Sequence, residues 1–148
     1  MAMTMNGEVQ LAAPREAVWA KLNDPEVLKV CIPGCEELEK TEDNGFRAVA
    51  KMKVGPVSAR FKGKVVLSDL DPPNGYKISG EGEGGVAGFA KGGATVGLAE
   101  KDGGTLLSYN VEAQIGGKLA QLGQRLINGS AKKLADEFFA NFAKAVQG

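Results

Sequence analysis

Through the middle of the chain, apolar and polar residues alternate with a period of two. Phe46, Ala48, Ala50, Met52 and Val54 fall on one side, and Arg47, Lys51 and Lys53 on the other, interrupted by Val49. After Gly55-Pro56, the residues Val57, Ala59, Phe61, Gly63, Val65 and Leu67 share a face opposite Ser58, Arg60, Lys62 and Lys64. This is the pattern of an antiparallel sheet with one wet side. Further strands are read at Met5 to Ala12, Tyr76 to Gly82, Ala90 to Glu100 and Thr105 to Ile115. In the last of these Leu107, Tyr109, Val111, Ala113 and Ile115 lie on one face. Pro72-Pro73-Asn74-Gly75 and Asp102-Gly103-Gly104 read as turns.

Two regions follow a helical period instead. Pro14 opens a helix with an apolar stripe of Val18, Trp19 and Leu22. Asp24-Pro25 starts a second short helix, Glu26 to Cys31, which Pro33-Gly34 ends. From Lys118 to about Val146, Leu119, Leu122, Leu126, Ala131, Leu134, Phe138 and Phe142 recur at helical steps and predict one long amphipathic helix. At ~1.5 Å per residue it would reach over ~40 Å, enough to cross a whole sheet. Gly123 and Gly129 interrupt it at ~1 kcal/mol each, which predicts close packing, a kink or a gap. The order expected is one strand, two short helices, six strands and a long helix, although the pattern places only five of those six. It describes an α+β domain spanning residues 1–148, a helix-grip fold in which a curved antiparallel sheet of about seven strands wraps the C-terminal helix.

Between Gly80 and Gly97 the chain is unusually rich in glycine. Gly80, Gly82 and Gly85 match G-x-G-x-x-G, the dinucleotide fingerprint. That motif works where a helix N-terminus faces a pyrophosphate. No helix follows, and Glu81 and Glu83 would set carboxylates beside an anion. The expectation is a glycine-rich strand pair that forms a flexible, thin part of a cavity wall.

Composition narrows the chemistry. The 148 residues carry 18 basic and 18 acidic side chains, so no basic excess points to nucleic acid. Histidine is absent, which removes the commonest metal ligand and the usual general base near neutral pH. Cys31 and Cys35 are too few for a disulfide scaffold or a four-ligand zinc site, and read as small side chains at a helix end. The start lacks a basic segment followed by an apolar one, and no apolar run is long enough to span a membrane, so a cytoplasmic location is expected.

Several segments resemble a known family. Pro14 to Leu28 is similar to the first helix pair of START-like proteins of the SRPBCC superfamily. Ile32 to Glu36, Gly84 to Gly92 and Gly116 to Ile127 are narrower, and together they resemble the carbon monoxide dehydrogenase CoxG family. The resemblance implies a helix-grip fold with a hydrophobic cavity. It also implies a non-catalytic accessory protein that accompanies a molybdenum hydroxylase of the carbon monoxide dehydrogenase type. The roles implied are membrane recruitment, maturation, and handling of a lipid-like ligand such as a quinone. Some members carry a further C-terminal tail, whereas this sequence stops at Gly148. Any contact with the inner face of the membrane is therefore expected to be peripheral, by the surface or through a partner.

The residues themselves also predict a cavity. The inward face is dominated by small side chains, among them Ala48, Ala50, Gly63, Gly80, Gly82, Gly92, Ala94 and Ala113. A helix ~10 Å above a sheet cannot approach them all, so space is left between. The candidate ligand-binding residues are Met52, Phe61, Phe89, Tyr109, Leu122 and Leu126, with ordinary core packing as the alternative for each. Tyr109 carries the one hydroxyl recognised on the inward pattern, and Phe89, among mobile glycines, is the candidate gate. Arg47, Lys51, Lys53, Arg60, Lys62 and Lys64 form an outward basic stripe, suited either to solvent or to an acidic partner. The leading expectation is thus a carrier of a hydrophobic ligand that has no cofactor of its own. The alternatives are an assembly factor with no ligand role and a cyclase- or hydrolase-type enzyme, whose acid or base the inward pattern does not supply.

Overall fold

The structure, a computed structural model, describes residues 1–147. Strand β1 (Ala2–Leu11) leads into helices α1 (Arg15–Leu22) and α2 (Pro25–Cys31). Six strands follow: β2 (Cys35–Lys40), β3 (Gly45–Val54), β4 (Val57–Asp71), β5 (Gly75–Glu83), β6 (Phe89–Lys101) and β7 (Gly104–Gly116). A single 3-10 turn, Gly85–Ala87, joins β5 to β6. Helices α3 (Lys118–Gln121) and α4 (Gln124–Gln147) end the described chain. The sheet is antiparallel throughout, in the order β1-β7-β6-β5-β4-β3-β2. This is the expected α+β helix-grip arrangement, with α4 held against the concave face.

The strand that the pattern leaves unplaced is β2. Its sequence, Cys-Glu-Glu-Leu-Glu-Lys, offers only Leu38 as a large apolar residue, because it is an edge strand with one side in water. The glycine run lies in the antiparallel hairpin of β5 and β6, where Gly80 pairs with Gly92, so the dinucleotide fingerprint has no helix to complete it. Gly92 is required by close approach: a Cβ there would collide with the Glu112 backbone carbonyl on β7. The sheet bends over itself at this point, and glycine is what allows it.

The expected single C-terminal helix is broken. Gly123 takes φ +91°, and the chain restarts as α4 at Gln124. After the break the inward positions are Ile127, Ala131, Leu134, Phe138 and Phe142, in steps of four and three. Ile127 and Phe142 are buried, while Leu126 remains 38% exposed. The irregular step of five from Leu126 to Ala131 in the apolar stripe is the trace of that break.

Two buried clusters hold the fold. One joins α1, α2 and the C-terminal half of α4 to the sheet through Leu11, Val18, Leu22, Leu107 and Phe142. The other joins Met3, Ile115, Leu119 and Ile127 at the opposite end. Thr105, fully buried, donates its hydroxyl to the Ala13 carbonyl at 2.7 Å and pins the corner between β1 and α1. The Asn141 amide donates to the Cys31 carbonyl at 3.0 Å and ties α4 to the end of α2.

Candidate ligand-binding site

Between the two clusters, α4 stands off the sheet and leaves an apolar cavity in two lobes. The first, about 400 Å³, lies under α1 and α2. Leu22, Leu28 and Ile32 close its top. Val65, Tyr76, Val96, Leu107 and Tyr109 rise from the sheet, and Phe138 and Phe139 descend from α4. The second, about 390 Å³, is lined by Met52, Val54 and Phe61 of the β3–β4 hairpin, by Ile115 and Leu119, and by Ile127, Ser130, Ala131 and Leu134 of α4. Ile32, Ala48 and Gly63 line both lobes, so the two meet there. Ala48 and Gly63 are register partners on β3 and β4, and their small size opens this waist. Each lobe lies in the ~300–1,000 Å³ range of small-molecule sites.

Of the residues expected to line a pocket, Met52, Phe61 and Tyr109 do so. Leu122 does not; it caps α3 and packs with the Ile115 cluster. Leu126 lies over the tip of the β3–β4 hairpin, where a Cβ on Gly55 would stand 2.7 Å from its Cδ2. Both would face inward on a continuous helix, and the break at Gly123 turns them away. Phe89 is not a gate into this cavity. It opens β6 on the outer face, 48% exposed, beside Lys91 and above Gly116. Ala90 is the neighbour that faces in.

Tyr76 is a lining residue that the sequence expectations omit, although it shares parity with the inward Ile78, Gly80 and Gly82. Its ring lines the first lobe and meets the edge of Trp19 at 5.3 Å between centroids. Burial pushes its hydroxyl pKa up to about 12, so it stays neutral and can only donate or accept a hydrogen bond. Tyr109 stacks on Phe139 at 5.2 Å. Phe138 meets Phe139 edge-on at 5.0 Å and stacks on Phe142 at 5.8 Å, making an aromatic wall along α4. The lining of both lobes contains hydroxyls from Tyr76, Tyr109 and Ser130 and no carboxylate, lysine or arginine. Cys31 is buried, and burial raises the pKa of both Cys31 and Cys35, so neither thiol is poised as a thiolate nucleophile.

The outer face is an ion-pair lattice and not a uniform basic stripe. Reading across the sheet, the register places Glu39, Arg47, Lys64, Glu81 and Lys91 in one row. Arg60 meets Glu36 at 2.8 Å, Lys64 meets Asp43 at 3.1 Å and Arg47 meets Glu39 at 3.3 Å. Arg60 holds the Glu36 carboxyl below its usual range. The acidic partners come from β2, the strand that the pattern does not place, and from the loop after it.

Solved structures with the same architecture are numerous. A conserved protein from Geobacillus kaustophilus superposes with a TM-score of 0.92 at 34% identity, covering 98% of this chain and 95% of that one. An uncharacterised protein from Rhizobium leguminosarum gives 0.75 at 17% identity, over 99% and 95%. A norcoclaurine synthase from Thalictrum flavum, solved with a transition-state analogue, gives 0.67 at 18% identity, over 99% and 95%. The last two share the fold. No curated protein sequence matches this chain. The family model for the carbon monoxide dehydrogenase component CoxG matches residues 7–147, nearly the full length. With that match and the helix-grip cavity, the chain belongs to the carbon monoxide dehydrogenase CoxG family.

Proposed function

We propose that this protein is a non-catalytic carrier that holds a lipid-like ligand of the quinone class in the cavity between the sheet and α4. It works beside a molybdenum hydroxylase of the carbon monoxide dehydrogenase type, the association that the family's name supports. The observation that carries the reading is the lining: two joined apolar lobes whose polar groups are hydroxyls alone. Such a lining stabilises an apolar tail by about 2.5 kcal/mol per 100 Å² buried, and its few hydroxyls suit carbonyl or ring-hydroxyl oxygens. Acid–base chemistry would need a group that gains or loses a proton near neutral pH, and neither lobe supplies one. The shared fold with an enzyme does not alter this, because function follows the site. Among the described residues no helix is long and apolar enough to cross a membrane, so access to a lipid-soluble ligand is proposed to be peripheral.

Trp19 provides the test. It is the chain's one tryptophan and touches Tyr76, whose ring lines the first lobe. Titration of delipidated protein with a benzoquinone bearing a single isoprenoid unit should quench Trp19 emission saturably at one equivalent. Quenching that rises linearly with no saturation, equal to that of free tryptophan, would contradict the reading.

A further inference from the structure

A second, polar cleft of about 450 Å³ runs along the free edge of β1, between that strand and α4. Tyr109 lines both this cleft and the first apolar lobe, as does Met5. We propose that this cleft is the mouth of the cavity and the head-group site of its ligand, with the Tyr109 hydroxyl and the Lys132 ammonium donating to a neutral oxygen, a carbonyl or ring hydroxyl, of an amphiphile. The proposal rests on the carrier reading above and assigns the ligand an orientation: head between β1 and α4, tail in the apolar lobes.

Several observations converge on this cleft. Among the described residues the Tyr109 hydroxyl makes no hydrogen bond, so its donor is free to serve a ligand. Its place depends on Gly7, its register partner on β1: a Cβ on Gly7 would stand 2.5 Å from the Tyr109 oxygen. The missing side chain therefore lets the ring reach across β1 to the edge. On α4, Lys132 and Asp136 form an exposed pair at 2.9 Å that borders the same cleft. An ammonium and a carboxylate together leave no net charge, which suits a neutral oxygen-bearing head better than an anion.

The backbone of β1 contributes as well. The Met1 carbonyl accepts from Ile115 on β7, whereas the Ala2 carbonyl turns the other way and accepts from Gln124 of α4 at 3.0 Å. By the two-residue period, the backbone groups of Thr4, Asn6 and Glu8 also point away from β7 and into the cleft. A polar rim thus opens onto an apolar interior.

The experiment compares two probes, the same one-isoprenoid benzoquinone and diphenylhexatriene, a hydrocarbon with no head group. They are measured on wild-type protein, Tyr109→Phe, Lys132→Met and Gly7→Ala. The expected result is quinone affinity about tenfold weaker in Tyr109→Phe and Gly7→Ala, and severalfold weaker in Lys132→Met, with diphenylhexatriene binding unchanged. Unchanged quinone affinity in Tyr109→Phe and Lys132→Met would overturn the site. Equal loss of both probes would also overturn it, because the residues would then act only through packing. Wild-type protein that takes up diphenylhexatriene but no quinone would keep the cavity and overturn both the quinone assignment and the head-group site. Wild-type protein that binds neither would overturn the carrier reading itself, and the mouth with it.

Discussion

Ala48→Leu discriminates between a hollow and a filled interior. Ala48 lines both lobes, faces Gly63 across the β3–β4 pair and sits at the waist where the lobes join. The substitution adds three carbons to this space. If the space is empty, burying them contributes about 2.4 kcal/mol, at ~0.8 kcal/mol per carbon. Immobilising the leucine costs ~0.5–1 kcal/mol of that. Delipidated protein should therefore gain about 1.5 kcal/mol, which for a chain of this length raises Tm by about 3–6 °C. The same leucine divides the cavity, so quinone affinity should fall more than tenfold. The assay pairs thermal unfolding, followed by circular dichroism, with the Trp19 titration. A filled core gives the opposite sign: overpacking would destabilise by ~1–3 kcal/mol. A variant with lowered Tm and unaltered ligand binding would refute the cavity argument.

Further outcomes follow from individual residues. Thr105→Val keeps the shape but leaves the buried Ala13 carbonyl without its donor, and should cost about 1–3 kcal/mol in urea unfolding. Gly123→Ala meets no atom within 4 Å, so its cost is that of the left-handed backbone alone, about 1–2 kcal/mol, measured the same way. Tyr76→Phe should be close to neutral at pH 7. Because the folded pKa of Tyr76, about 12, lies above the unfolded value near 10, the unfolded chain ionises first as pH rises. Wild-type stability therefore falls relative to Tyr76→Phe from pH ~10 to ~12, by up to about 3 kcal/mol, read from paired unfolding curves across that range.

The strands with a buried side are legible because each alternates with a period of two, and the inward parity of Met52, Phe61 and Tyr109 follows directly. What resists is set by edges and breaks. β2 hides behind three glutamates because its outer side needs charge to pair with β3 and β4. Leu122 and Leu126 fit a helical stripe, but only on a helix that does not stop at Gly123. Phe89 is separated from the cavity by a single residue of register, and Ala90 takes the inward place. Tyr76 is within reach of the parity argument, since Gly80 and Gly82 on the same strand read as inward. The mouth beside β1 depends on Gly7, Tyr109 and Lys132, which are distant in sequence and meet only once β1 pairs with β7.

The central claim is that the space between the sheet and α4 is a binding site for a lipid-like molecule. Its most direct test is to purify the protein without detergent from cells that make quinones, extract it with organic solvent and identify what is released by mass spectrometry. The account predicts a recurrent amphiphile carrying a carbonyl or ring hydroxyl on an apolar tail, approaching one per chain. Protein that is consistently empty, and that still binds no quinone when it is added, would contradict it.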